Sequence, residues 1–193
     1  MWKIFHIIGG FFLDIIETAV FALSIFVLIY VFLAQPHQVS GRSMFPTFHN
    51  GEFLLTNKLA YRQGLPQRGD VIIFRAPSTA HCPSGGACDF IKRVIGLPGE
   101  TVSVHDNQVY INGQLLTEPY LGPEYPTHGD AFLRDGTEYT VGEGEYMVMG
   151  DNRPGSSDSR AFGPVPVKNF IGKAWIRYWP FDKLGFIAEV NYD

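Results

Sequence analysis

The chain is poor in charge and in cysteine. Charged residues make up only 18% of its 193 residues, and no run of Lys or Arg occurs anywhere. The net charge is −4. A protein that holds nucleic acid by neutralising phosphates needs a basic patch, so nucleic acid is excluded as a partner. The only cysteines are Cys82 and Cys88, and the six histidines are scattered. His81 beside Cys82 completes at most three ligands in one loop, which is an incomplete zinc site, so no metal and no cofactor is expected. Internal repeats and low-complexity tracts are also missing. With 46% hydrophobic residues and 16 Phe, the composition is not that of a disordered chain. Glycine and proline are plentiful, 21 and 13, more than a helical bundle would want.

The hydrophobicity is concentrated at the N-terminus. Residues 1–34 carry only Lys3, Asp14 and Glu17, and residues 18–34 carry no charge at all. Seventeen helical residues reach roughly 25 Å, near the short limit for crossing a bilayer. A buried core helix would show a polar stripe, and this segment has only Ser24 and Tyr30. A cleaved signal peptide wants small residues at −3 and −1, yet cleavage after Ala34 would place Phe32 at −3, and Asp14 and Glu17 spoil a basic leader. The segment reads as an uncleaved anchor spanning about 18–34, preceded by an amphipathic stretch. Residues 35–193 read as a separate soluble domain. Lys3 alone gives the positive-inside rule little to count, so the charges do not set the orientation.

Pro36 ends the helix. Short apolar runs bounded by turns follow, predicting strands near 53–56, 71–74, 90–96, 101–104, 109–111, 114–116, 146–149 and 173–178. Asn112-Gly113 between two of them is a hairpin signal. The expected class is mainly β: an antiparallel sandwich or partly open barrel behind an N-terminal transmembrane helix. Residues 76–89 form a surface insertion holding both cysteines. Beyond a membrane, Cys82 and Cys88 would pair as a disulfide.

Three segments carry chemistry-bearing residues: Ser40-Gly41-Arg42-Ser43-Met44-Phe45-Pro46-Thr47, then the run from Phe90 to Glu100, and Gly150-Asp151-Asn152-Arg153-Pro154-Gly155-Ser156-Ser157-Asp158-Ser159-Arg160. Each has a plain reading alone. Ser43 could be a loop serine, Lys92 an edge-strand lysine that discourages aggregation, and the Gly-Asp-Asn run a turn. By strand alternation Lys92 shares a face with Phe90 and Val94, which draws its amine toward apolar surroundings.

Together these segments resemble the type I signal peptidases, membrane-anchored Ser-Lys proteases. The resemblance rests on S-M-x-P-T (Ser43 to Thr47), R-G-D-V-[IV]-x-F (Arg68 to Phe74), K-R-x-I-G-x-P-G (Lys92 to Gly99) and G-D-N-R-x-x-S-x-D-S-R (Gly150 to Arg160), in that order after one anchor. It implies Ser43 as nucleophile and Lys92 as general base. Ser156 would orient the Lys92 amine, Asp158 and Arg160 would form a supporting ion pair, and Met44 would line the floor beside the nucleophile. The implied substrates are preproteins whose signal peptides have small residues at −1 and −3. The implied setting is the cytoplasmic membrane, single-pass, with the catalytic domain outside. Many members carry a serine two residues before the nucleophile whose hydroxyl helps bind the oxyanion. Gly41 stands there, leaving the Ser43 N–H as the expected donor and the second donor open.

The chemistry is consistent. A serine hydroxyl needs a base, and lysine, with a reference pKa of ~10.4, is useful only when brought near ~7–8. Burial without a carboxylate partner shifts it that way. Two other functions fit parts of the chain: a self-cleaving repressor-type Ser-Lys peptidase, and a non-catalytic anchored scaffold. The first wants a DNA-binding headpiece where the anchor lies; intact Ser43 and Lys92 argue against the second. Phe45 and Phe48, close to the nucleophile, are expected to form an apolar surface that touches lipid.

Overall fold

The structure, a computed structural model, describes residues 2–62, 64–82, 85–190 and 192. It opens with a helix α1, Trp2–Leu28, that ends in a wider π-helical turn, Ile29–Leu33. The apolar stretch within it, Gly10–Leu33, is 24 residues long with a mean hydropathy of 2.4, and none of the other described residues buries it. Its length, roughly 36 Å at the α-helical rise, suffices to cross a bilayer. Its two aliphatic hydroxyls are satisfied within the helix: Thr18 donates to the Asp14 carbonyl and Ser24 to the Val20 carbonyl, each at 2.7 Å. The apolar helical stretch begins before residue 18. Ala34, assigned to the helix from sequence, already lies in a strand.

The regular structure of the remaining chain is almost entirely antiparallel β. The strands are β1 (Ala34–Gln38), β2 (Phe53–Asn57), β3 (Val71–Arg75), β4 (Asp89–Gly96), β5 (Thr101–His105), β6 (Gln108–Ile111), β7 (Gln114–Leu115), β8 (Glu138–Thr140), β9 (Glu145–Met149), β10 (Val165–Pro166), β11 (Phe170–Trp179) and β12 (Gly185–Phe186). A short helix α2, Ser159–Phe162, is capped by the Asp158 side chain, which accepts from the Arg160 N–H. The larger sheet runs β1-β2-β11-β3-β4-β9-β10, with β12 on β11, and the smaller runs β7-β6-β5-β8. Neither sheet closes into a barrel.

Why these residues make strands is plain in β3 and β4. Val71-Ile72-Ile73-Phe74 is buried on both faces, which suits a β-branched run. One core packs Ile72, Phe74, Val94, Tyr146 and Val148; another, on Leu54, Val71 and Ile73, takes in Val39, Met44 and Phe48. Phe48 is fully buried, so it does not belong to a lipid-facing surface as expected from sequence; it fills the space under the loop after β1. Phe45 is half-buried, edge-on to His49 and Tyr125. Exposed aromatics of the β domain lie elsewhere, among them Phe132, Trp175, Trp179, Phe181 and Phe186.

The insertion at 76–89 is closed by the Cys82–Cys88 disulfide. That bond consumes both thiols, so the partial zinc ligand set with His81 does not exist.

Candidate active site

Two strand ends and one loop converge on Ser43. The β1 chain runs on through Val39, whose N–H donates to the Glu52 carbonyl at 2.8 Å, into the turn that carries Ser43. Lys92 lies on β4, opposite Ile72 of β3. The pairing of β4 with β9 stops at Arg93↔Met149, and β9 then delivers the 150–160 segment beside the loop. There the Asn152 N–H donates to the Ser43 carbonyl at 3.0 Å.

Lys92 is 4% exposed, and its Nζ donates to Ser43 Oγ at 2.8 Å and to the Ile91 carbonyl at 3.0 Å. The Phe90 ring lies 5.1 Å from the amine. No carboxylate forms an ion pair with it among the described residues. Burial, opposed by the more distant charges of Asp158 and Asp151 and aided by Arg160, pushes the amine down to about 8.

Behind this pair lies a set of ion pairs, two of them fully buried. Asp158 meets Arg160 at 2.8 and 2.7 Å and accepts from the Gly150 N–H at 3.0 Å. Burial alone would raise the Asp158 pKa; the Arg160 guanidinium and the Gly150 N–H more than offset it and hold the carboxyl below its usual range. Arg93 bonds Asp151 at 2.9 and 2.7 Å, and Thr47 of the turn that carries Ser43 donates to the same carboxylate at 2.5 Å. Arg153 pairs with Glu118. Met44 is buried beneath the turn, packed with Val39, Phe48 and Leu54.

The expected bond between Ser156 and Lys92 is absent. The amine's bonds go to Ser43 and Ile91, and Ser156 Oγ is buried without a hydrogen-bond partner. It lies toward Asp158 without proper bonding geometry and against Gly150, where an added Cβ would overlap both this hydroxyl and the Ser43 carbonyl. Gly41 has φ +95°, a left-handed conformation that glycine adopts without strain, and its N–H donates to Asn50 Oδ1 at 2.8 Å. Sequence reasoning missed Asn50 and Asn152 as residues that hold this turn; Asn152 sits inside a quoted motif, but nothing in the spacing shows that it reaches Ser43.

A cleft of about 390 Å³ opens in front of Ser43 and Lys92, floored by Val39, Leu54, Ile73 and Ile91. Residues 12–179 match the family model described as "Signal peptidase, peptidase S26". The chain belongs to the signal peptidase family. It is 39% identical to a signal peptidase I of Bacillus caldolyticus over 81% of this chain and 85% of that one. It is 34% identical to a probable signal peptidase I-2 of Synechocystis sp. over 92% of this chain and 78% of the relative. A solved signal peptidase I from Enterococcus faecalis V583 shares 35% identity, covering 57% of this chain and 97% of the other, with a TM-score of 0.43.

Proposed function

We propose that the protein is a membrane-anchored endopeptidase that removes signal peptides from preproteins, with Ser43 as nucleophile and Lys92 as general base. The observation that carries this is the 2.8 Å contact between a buried lysine without a carboxylate partner and a serine at the head of an apolar cleft.

Each step has a group to perform it. With the amine neutral, its lone pair accepts the Ser43 proton as Oγ attacks the scissile carbonyl. The resulting ammonium then hands the proton to the leaving amine. A water, deprotonated by the same amine, hydrolyses the acyl-enzyme. The carbonyl oxygen, negative in the tetrahedral intermediate, needs N–H donors, and the Ser43 N–H meets no acceptor among the described residues.

The cleft suits an extended peptide. It lies between residues 38–40, at and just past the end of β1, an edge of the large sheet, and residues 89–91, which pair with β3 on one side and with no strand of the described residues on the other. A segment between them would add main-chain bonds while alternate side chains turn down to the apolar floor. Small residues at −1 and −3 fit a floor already filled by Leu54 and Ile73. The apolar helix precedes the cleft by only the few residues of β1, which supports a site tethered close to the membrane; the removal of signal peptides from exported preproteins would put that site on the extracytoplasmic face.

The test is cleavage of a preprotein ending its signal in Ala-x-Ala by the full chain in detergent or lipid. Activity lost in Ser43→Ala and in Lys92→Ala, with both variants folded, is the expected result. Undiminished cleavage in Lys92→Ala at neutral pH overturns the mechanism; equal cleavage after Leu-x-Leu overturns the specificity.

A further inference from the structure

The turn that presents Ser43 is held from behind at two successive carbonyls. Asn152 Nδ2 donates to the Arg42 carbonyl at 3.1 Å, and the Asn152 main-chain N–H donates to the Ser43 carbonyl at 3.0 Å. The Arg42 carbonyl also accepts the Phe45 N–H at 3.1 Å. This carbonyl belongs to the peptide whose other end is the Ser43 N–H. In a trans peptide the C=O and N–H point in opposite directions and share one plane. Fixing the carbonyl toward Asn152 therefore fixes the N–H away from it, where no described residue accepts it. Donation to the carbonyl also polarises the peptide and strengthens its N–H as a donor.

The neighbouring donors are placed differently. The Gly41 N–H is committed to Asn50 Oδ1 at 2.8 Å and is not free to bind an oxyanion. The N–H groups of Arg42 and Met44 also meet no acceptor among the described residues, but neither belongs to the peptide that Asn152 Nδ2 grips.

We propose that Asn152 is a positioning residue that aims the Ser43 N–H at the oxyanion by gripping the Arg42–Ser43 peptide from its carbonyl side. This rests on the reading of Ser43 as nucleophile. Asn152 touches neither substrate nor the Lys92 amine; it acts only through the peptide plane.

Two variants test it. Asn152→Ala removes the side-chain donor and keeps the main-chain bond to Ser43. Asn152→Asp keeps the shape and turns an acceptor toward the carbonyl. Losing an oxyanion donor outright costs about 10²–10³ in rate, so a misaimed one is expected to lower kcat about 10- to 100-fold, with KM changed less than about twofold. The pH midpoint of kcat/KM stays where it is. A peptide aldehyde supplies the discriminating probe: Ser43 Oγ bonds to its carbonyl carbon, the Ser43 proton goes to Lys92, and the aldehyde oxygen becomes the oxyanion. Its affinity falls with kcat in both variants, while the same peptide with a reduced scissile amide binds as before. Unchanged kcat and aldehyde affinity, an equal loss for both ligands, or a moved pH midpoint overturns the proposal. Ser43→Ala, measured alongside, separates the two claims: if it still cleaves, the underlying dyad is wrong, and if it is dead while the Asn152 variants are normal, only this inference fails.

Discussion

Lys92 and Arg93 are consecutive on β4 and equally hidden, at 4% and 2% exposure, yet their surroundings make opposite use of burial. Arg93 is gripped by both oxygens of Asp151, by the Gly69 carbonyl at 2.9 Å, and by the Tyr120 ring 4.0 Å away. Its partners outweigh desolvation, so its pKa rises and it stays a permanent cation. Lys92 has a hydroxyl, a carbonyl and an aromatic ring, none of which carries charge. Desolvation wins there, and the amine can give up its proton near neutrality. Alternation along one strand thus places a structural ion pair and the proposed base side by side, and the identity of the facing side chains decides which is which.

The largest expected break in this comparison is on the Lys92 side. Ser43→Ala or Lys92→Ala should lower kcat/KM by at least about 10³-fold, and the double variant should be no worse than either single one, if the two act as the proposed proton-transfer unit. Cleavage assays with matched circular dichroism check this.

On the Arg93 side the effect is on stability. Asp151→Asn leaves a buried guanidinium without its counter-charge and should cost about 3–5 kcal/mol in urea unfolding. Replacing both members, Arg93→Met with Asp151→Leu, should recover most of that loss, since a buried pair is expensive chiefly when half of it is removed.

Lys92→Met sharpens the contrast from the other direction. The folded amine titrates near 8 and the unfolded one near 10.5, so the unfolded chain binds the extra proton between those values. Wild-type stability should therefore rise with pH from about 8 to about 10.5, once other groups are matched by difference. At pH 7 the Met variant, though inactive, should be more stable by up to about 3 kcal/mol, a gain present in full below pH 8 and gone above about 10.5. Urea titrations of both proteins at pH 7 and pH 10.5 give the sign.

The smallest expected effect lies outside both buried groups. Gly41→Ser places a side chain at φ +95°, which should cost about 1 kcal/mol. With the Ser43 N–H still in place, kcat should change less than about tenfold.

Much of this was legible in the sequence. The strands with a buried face announced themselves by apolar runs, as in Val71-Ile72-Ile73-Phe74, and the motifs named Ser43 and Lys92. Apart from β7, the edge strands did not. Ala34-Gln35-Pro36-His37-Gln38 has no alternation and contains a proline, which only an unpaired edge tolerates, so β1 reads as a helix end. Strands β8, β10 and β12 are two or three residues long and exist only through their pairing partners. Phe48 looked like a surface aromatic because its burial depends on Val71 and Leu54, distant in sequence. The reach of Asn152 to Arg42 spans 110 positions, and no local pattern encodes it.

The central claim is that a buried lysine without a carboxylate partner is the base. The pH profile of kcat/KM tests it most directly, because that ratio reports the ionisation of the free enzyme. Activity rising with pH through an apparent pKa near 8 is the predicted result. A rise only near 10.4, the value of an ordinary lysine, or the same profile persisting in Lys92→Ala, would contradict it.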